Sequence, residues 1–213
     1  MIDLLARILA SSIRNLGEKQ PDVFENTFFT NMTEWNLAHH LANEISQYIF
    51  WLDHDLDVIK KRHHNQRPDI IFHKRATNAL NFLVIELKKN YYFTPESLRE
   101  SEDYKKVKEN WMGKKLHYRF GAFLNIQDRE RYVGIIMDQC GSELFINEKL
   151  DYLPIPAHDE ELARRIKDMA EDMKIRRHSV LQKRHTGYHD PLVDILDEAI
   201  KEYYIYGQQE KEK

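Results

Sequence analysis

Residues 67–90 read RPDIIFHKRATNALNFLVIELKKN, two apolar runs separated by a polar stretch. Short apolar runs bounded by turn-forming residues predict strands. Asp69 opens the first run, Glu86 lies near the end of the second, and Lys88 follows two residues later. An antiparallel hairpin turning between Thr77 and Asn78 fits, because Asn tolerates the positive φ of a tight turn. That register sets Ile71 opposite Val84, His73 opposite Phe82 and Asp69 opposite Glu86. The two carboxylates become cross-strand neighbours with Cβ atoms about 4.5–5.5 Å apart. Lys88 falls on the same face as Glu86, because strand side chains alternate.

Opposed carboxylates destabilise a plain sheet. A divalent cation or a nearby ammonium relieves the repulsion, and this stretch accommodates both. Hard oxygen ligands favour Mg²⁺, with Mn²⁺ as a substitute; Mg²⁺ binds through one or two carboxylates and keeps waters and a substrate phosphate. Such an ion polarises a phosphoryl oxygen and lowers the pKa of a bound water. Lys88 is placed to orient or help deprotonate that water, or to stabilise charge on phosphorus. The plainer reading of the same letters is a hairpin with exposed polar ends. Pro21-Asp22, with no apolar strand behind it, illustrates how little the dipeptide carries alone.

Outward from the hairpin, apolar spacing predicts a helix over 2–15 with Gly17 as its stop. Residues 17–30 read as a loop. A second helix is expected over 31–49, with Asn31 as N-cap, Glu34 in capping-box register, and Leu37, Leu41, Ile45 and Tyr48 inward. Glu44 sits at the edge of that face, either as a rim carboxylate or as a third acidic group for the site. Residues 52–59 alternate and predict a half-exposed strand whose acids face water; the glycine and terminal glutamate of an EF-hand are missing. A helix over 96–111 points Tyr104, Val107 and Trp111 inward, with Asp103 and Lys106 as a weak surface pair. Strands are expected at 116–126 and 132–137, with a short edge strand at 143–146. Gly121 signals a bulge or a close backbone approach. Helices over 158–175 and 190–204 close the chain. Strands grouped around one crossover helix imply an α/β fold with a central mixed sheet between helices.

Pro68-Asp69, sixteen residues, then Glu86-Leu87-Lys88 resembles the PD-(D/E)xK signature of the restriction-endonuclease-like nuclease superfamily. The resemblance covers about residues 31–138. It implies a restriction-endonuclease-like core of about four strands, extended here, with additional C-terminal helices. By this resemblance Asp69, Glu86 and the backbone carbonyl of Leu87 bind metal, Lys88 serves the attacking water, and Glu44 matches a helix carboxylate. Lys106 matches a basic or amide residue on the following helix, a loose match that Lys105 or Lys108 fits almost as well. The organisation expected is a helix and loop over 1–30, a nuclease-like core over 31–156 and a helical extension over 157–213.

The formal net charge is −3, so no global basic field marks nucleic-acid binding, and local charge must carry it. Basic clusters at 60–67, 105–108, 114–119 and 176–184 are candidates for tracking phosphates. Arg67, Lys89, Lys105 and Lys106 are the candidate contacts nearest the site. Tyr91, Tyr92, Phe93 and Trp111 suit either core packing or base stacking. The single cysteine, Cys140, excludes an internal disulfide and a cysteine-rich zinc site. Asp3 and Arg7 interrupt the apolar N-terminus, and no run approaches the roughly 20 residues that span a bilayer. The expectation is a cytoplasmic, Mg²⁺-dependent nuclease acting on DNA. A non-catalytic nucleic-acid-binding or protein-interaction module and an RNA-directed nuclease are the alternatives. Two cuts on a duplex would favour a homodimer, for which no residue argues.

Overall fold

The computed structural model describes residues 1–24, 33–58, 67–75, 80–89, 94–113, 116–182 and 191–209. The elements run α1 (Ile2–Lys19), α2 (Thr33–Ser46), β1 (Asp53–Leu56), β2 (Ile70–His73), β3 (Asn81–Lys88), α3 (Pro95–Glu100) and α4 (Glu102–Lys106). A π-helical turn (Val107–Trp111) follows, then β4 (Phe120–Ile126), β5 (Tyr132–Asp138), β6 (Glu143–Asn147), α5 (Glu160–Gln182) and α6 (Pro191–Gln209). The strands form one six-stranded sheet in sequence order. β3 and β4 are parallel, and every other neighbouring pair is antiparallel. This is the mixed sheet between helices that the element order implies. Among the described residues no helix is long and apolar enough to cross a membrane.

Alternation along the strands sorts side chains into two cores. Ile70, Phe72, Leu83, Ile85 and Leu87 join Ala122 and Leu124 in the larger one, which α1, α2, α5 and α6 cover. Ile71, Val84, Phe123 and Ile135 face the other side, against Leu98, Tyr104, Val107 and Trp111 of the β3–β4 crossover. β3 is buried on both faces through Leu87, as a central strand must be.

Four local expectations change. α1 continues through Gly17 to Lys19. A Cβ at Gly17 would lie 2.3 Å from Arg129 Cβ, so the missing side chain admits a residue between β4 and β5 and does not end the helix. Gly121 likewise serves close approach, since its Cβ would lie 2.4 Å from Val107 Cγ1. The helix over 96–111 is broken. Ser101 ends α3 and caps α4, its Oγ accepting from Tyr104 N at 3.1 Å. The chain then winds into an i→i+5 turn, Met112 N donating to Val107 O at 3.0 Å. The C-terminal helices also run longer than expected. Asp53 and Asp55 are not simply solvated: Asp55 pairs with His73 at 2.7 Å and with Arg75 at 2.6 Å.

Candidate active site

The β2–β3 register is Ile70↔Ile85, Ile71↔Val84 and Phe72↔Leu83. Ile71↔Val84 is the pairing the sequence predicts. His73 faces Asn81 rather than Phe82 because a bulge intervenes after Phe72. The expected turn at 77–78 lies outside the described residues. The ladder ends at Ile70, so Asp69 and Glu86 meet one step beyond it. Asp69 Oδ2 accepts from Leu87 N at 2.7 Å and so replaces the next rung. A strand residue's N–H and C=O point to the same edge. The Leu87 carbonyl therefore also faces the β2 side. Continued by two residues, the register sets it opposite Pro68, which has no N–H to donate.

Glu86 is 2% exposed, and the crossover engages both of its oxygens. Trp111 Nε1 donates to Oε1 at 2.5 Å, and Lys106 Nζ donates to Oε2 at 2.8 Å. Five residues on a regular α-helix would put Lys106 and Trp111 about 140° apart. The π turn between them is how both reach one carboxylate, and π turns recur at functional sites. Lys106 Nζ also lies 5.6 Å from the centre of the Trp111 ring.

The carboxyl pair is electrostatically strained. Two like charges about 4 Å apart repel by about 4 kcal/mol at an effective dielectric near 20. Burial, and then the charge on Asp69, push Glu86 up to about 8, although Lys106 and Trp111 favour its ionised form. Burial also raises Asp69, against the Leu87 N–H and Lys106. Lys88 points to the same face, with Nζ 3.5 Å from Asp103 Oδ2. Burial opposes its charge, but Glu34, Asp103 and Asp69 outweigh this and raise it above an ordinary lysine. The surface pair expected between Asp103 and Lys106 is thus replaced by two separate pairs, Asp103 with Lys88 and Lys106 with Glu86.

Glu44 does not join this group. It is buried at 4% exposure, on a helix that packs over the larger core. Lys19 Nζ reaches its Oε2 at 2.7 Å and Gln47 Nε2 at 2.9 Å. The α2 carboxylate whose field reaches both Asp69 and Lys88 is Glu34. It stands ten residues, about 15 Å of helix, before Glu44. The remaining predicted cations vary. Arg67 pairs with Asp57 at 2.9 Å on the surface, and Lys105 pairs with Glu102 at 2.8 Å. Lys89 Nζ approaches the Phe24 carbonyl at 3.5 Å. Lys108 lies against the Tyr104 ring, leaving Lys106 as the crossover lysine that reaches the acidic pair. Residues 60–66, 90–93, 114–115 and 183–190 lie outside the described residues, and with them most of the basic cluster at 60–67, parts of those at 114–119 and 176–184, and Tyr91, Tyr92 and Phe93.

Among the described residues no three His, Cys, Asp or Glu side chains are grouped to hold a metal ion. Two carboxylates and a carbonyl do suit Mg²⁺, which needs no all-protein cage. They do not suit a structural zinc site. No family model matches the chain, and neither the curated proteins nor the solved structures contain a match.

Proposed function

We propose that the chain is a divalent-metal-dependent nuclease that hydrolyses phosphodiester bonds in DNA. The observation that carries this reading is the meeting of Asp69 and Glu86 in one desolvated spot, with Glu86 pushed up to about 8. A pair so costly to ionise gains from a cation more than an ordinary surface pair does. The position supports the reading too: the pair sits at the carboxyl end of β3, one of the two parallel strands, where open α/β sheets bind ligands.

Asp69, Glu86 and the Leu87 carbonyl would hold Mg²⁺ or Mn²⁺, and Glu34, rather than Glu44, is the α2 carboxylate that adds its charge to the site from outside this ligand set. When bound, the ion supplies Lewis acidity toward a phosphoryl oxygen and a lowered pKa for a water. Lys88, raised and ringed by carboxylates, stays protonated near neutrality. It therefore orients the water by donation and stabilises negative charge at the phosphate, rather than acting as a base. Lys106 holds Glu86 in the resting state and is within reach of the same phosphate once released. Arg67, Lys89 and Lys105 remain candidate backbone contacts.

The test is digestion of linear, circular and single-stranded DNA, and of RNA, with Mg²⁺, Mn²⁺ or EDTA. Cleavage by the wild type that is lost in EDTA, and lost in Asp69→Ala and Lys88→Ala, supports the proposal. Identical digestion by wild type and variants sinks it. One observation favours a second reading, a non-catalytic nucleic-acid-binding module: Lys106 and Trp111 already satisfy both oxygens of Glu86. Retention of DNA in a mobility shift without cleavage would select that reading.

A further inference from the structure

We propose that Trp35, propped by His39, is a stacking platform for an unpaired nucleobase, so that the preferred substrate carries a single-stranded or frayed segment beside the scissile phosphate. The inference rests on the nuclease reading for its occupant, on the exposure and ring stacking of Trp35 for the platform, and on its place beside Glu34 in the first turn of α2 for its location. The chain has three tryptophans. Trp111 is fully buried on Glu86 and Trp51 is 7% exposed, whereas Trp35 is 62% exposed. Trp111, one of the residues suited by sequence to stacking, therefore has no face to offer.

Trp35 follows Glu34 in the first turn of α2, and the Glu34 charge bears on Asp69 and Lys88. Trp35 is thus the chain neighbour of the residue whose charge bears on the acidic pair. Among the described residues, its neighbours along the helix make no contiguous apolar surface of the kind a protein-docking patch needs. The next residue on the helix is Asn36, and the residue one turn on is His39. A flat apolar face in a polar setting matches a base, which has an apolar face and a polar edge.

The platform is also preorganised. The His39 ring lies within 15° of parallel to Trp35, with centroids 6.0 Å apart. His40 meets His39 edge-on at 5.4 Å, and Asn43 Nδ2 lies 3.5 Å from His39 Nε2. An i, i+4 ridge of residues 35, 39 and 43 therefore biases the indole toward this orientation before any base arrives. A stacked base on such a surface changes affinity by about 5- to 150-fold.

The experiment uses intrinsic fluorescence of the Glu86→Gln protein in EDTA, which removes cleavage from the measurement. Oligothymidylate is compared with a blunt hairpin duplex. Quenching by oligothymidylate that disappears in a Trp35→Leu background, together with reduced acrylamide access, is the expected result. Trp35→Ala in that background should weaken oligothymidylate binding by about 5- to 150-fold with little change for the duplex, and Trp35→Phe should restore most of it. Equal loss for both nucleic acids, or binding with unchanged Trp35 fluorescence, overturns the platform. Failures are separable. Strand-specific quenching in a chain whose wild type cleaves nothing keeps the platform and removes the nuclease. Cleavage whose single-strand preference survives Trp35→Ala does the reverse.

Discussion

Glu44 and Glu86 look alike in isolation. Each is nearly buried, and each meets one lysine, at 2.7 Å from Lys19 and 2.8 Å from Lys106. Their other neighbours differ. Glu44 accepts from the amide of Gln47, and the pair ties α2 to α1. Glu86 shares its space with Asp69, so its lysine must offset two negative charges in a desolvated setting. Burial with a lysine partner is therefore what a packed interface also makes. The second carboxylate separates a group that a cation would relieve from one that is already satisfied.

The comparison can be broken most sharply by activity. Asp69→Asn or Glu86→Gln should lower cleavage by about 10³-fold, the scale of losing a principal electrostatic stabiliser. Glu44→Gln should leave the rate of the folded protein within about 3-fold. Single-turnover digestion of a labelled oligonucleotide distinguishes these outcomes, and a Glu44 loss as large as that of Glu86 would dissolve the contrast.

Thermal melting should then give opposite signs. The folded-state value of Glu86, about 8, lies above its ordinary 4.5. The metal-free fold therefore binds the proton more tightly than the unfolded chain and loses stability as pH rises from about 4.5 to about 8. Glu86→Gln removes that penalty, so its Tm should exceed wild type by roughly 2–8 °C near pH 8.5 and by little at pH 5. Glu44→Gln leaves Lys19 without its anion and should lower Tm by about 2–4 °C near neutrality.

A third measurement adds Mg²⁺. At about ten times Kd it should raise Tm by about 3–5 °C in the wild type and in Glu44→Gln, with no rise in Glu86→Gln. The smallest expected effect is at Arg67, whose pair with Asp57 is exposed. Arg67→Ala should change stability by less than about 0.5 kcal/mol. If Arg67 contacts phosphate, the same variant should reduce the salt dependence of DNA binding by about one counterion, read from titrations across ionic strength.

The hairpin was readable because alternation leaves few registers that bury Ile70, Phe72, Leu83 and Ile85 together. The same register brings Asp69 to Glu86 and sets Lys88 on their face. Periodicity also placed Glu44 beside a buried helix face, where it is. What periodicity lacks is the partner of that face: α2 packs over the core opposite the carboxylates, and only its first turn bears on them. Choosing Glu34 over Glu44 needed that placement. Trp111 as a hydrogen-bond donor to Glu86 was equally hidden, because nothing in VKENW marks an i→i+5 turn. The inward position of Trp111 was legible, but the partner of its indole N–H was not.

The parallel joint between β3 and β4 sets a requirement of length. Antiparallel neighbours close with a few residues, whereas parallel neighbours need a dozen or more to return to the starting edge. In this chain that return is 89–119, and it carries Lys106 and Trp111 onto Glu86. A deletion that shortens it would remove the connection and the neutralising groups together. The cover over the acidic pair is therefore tied to topology, and it cannot be trimmed as an appendage while the strand order is kept.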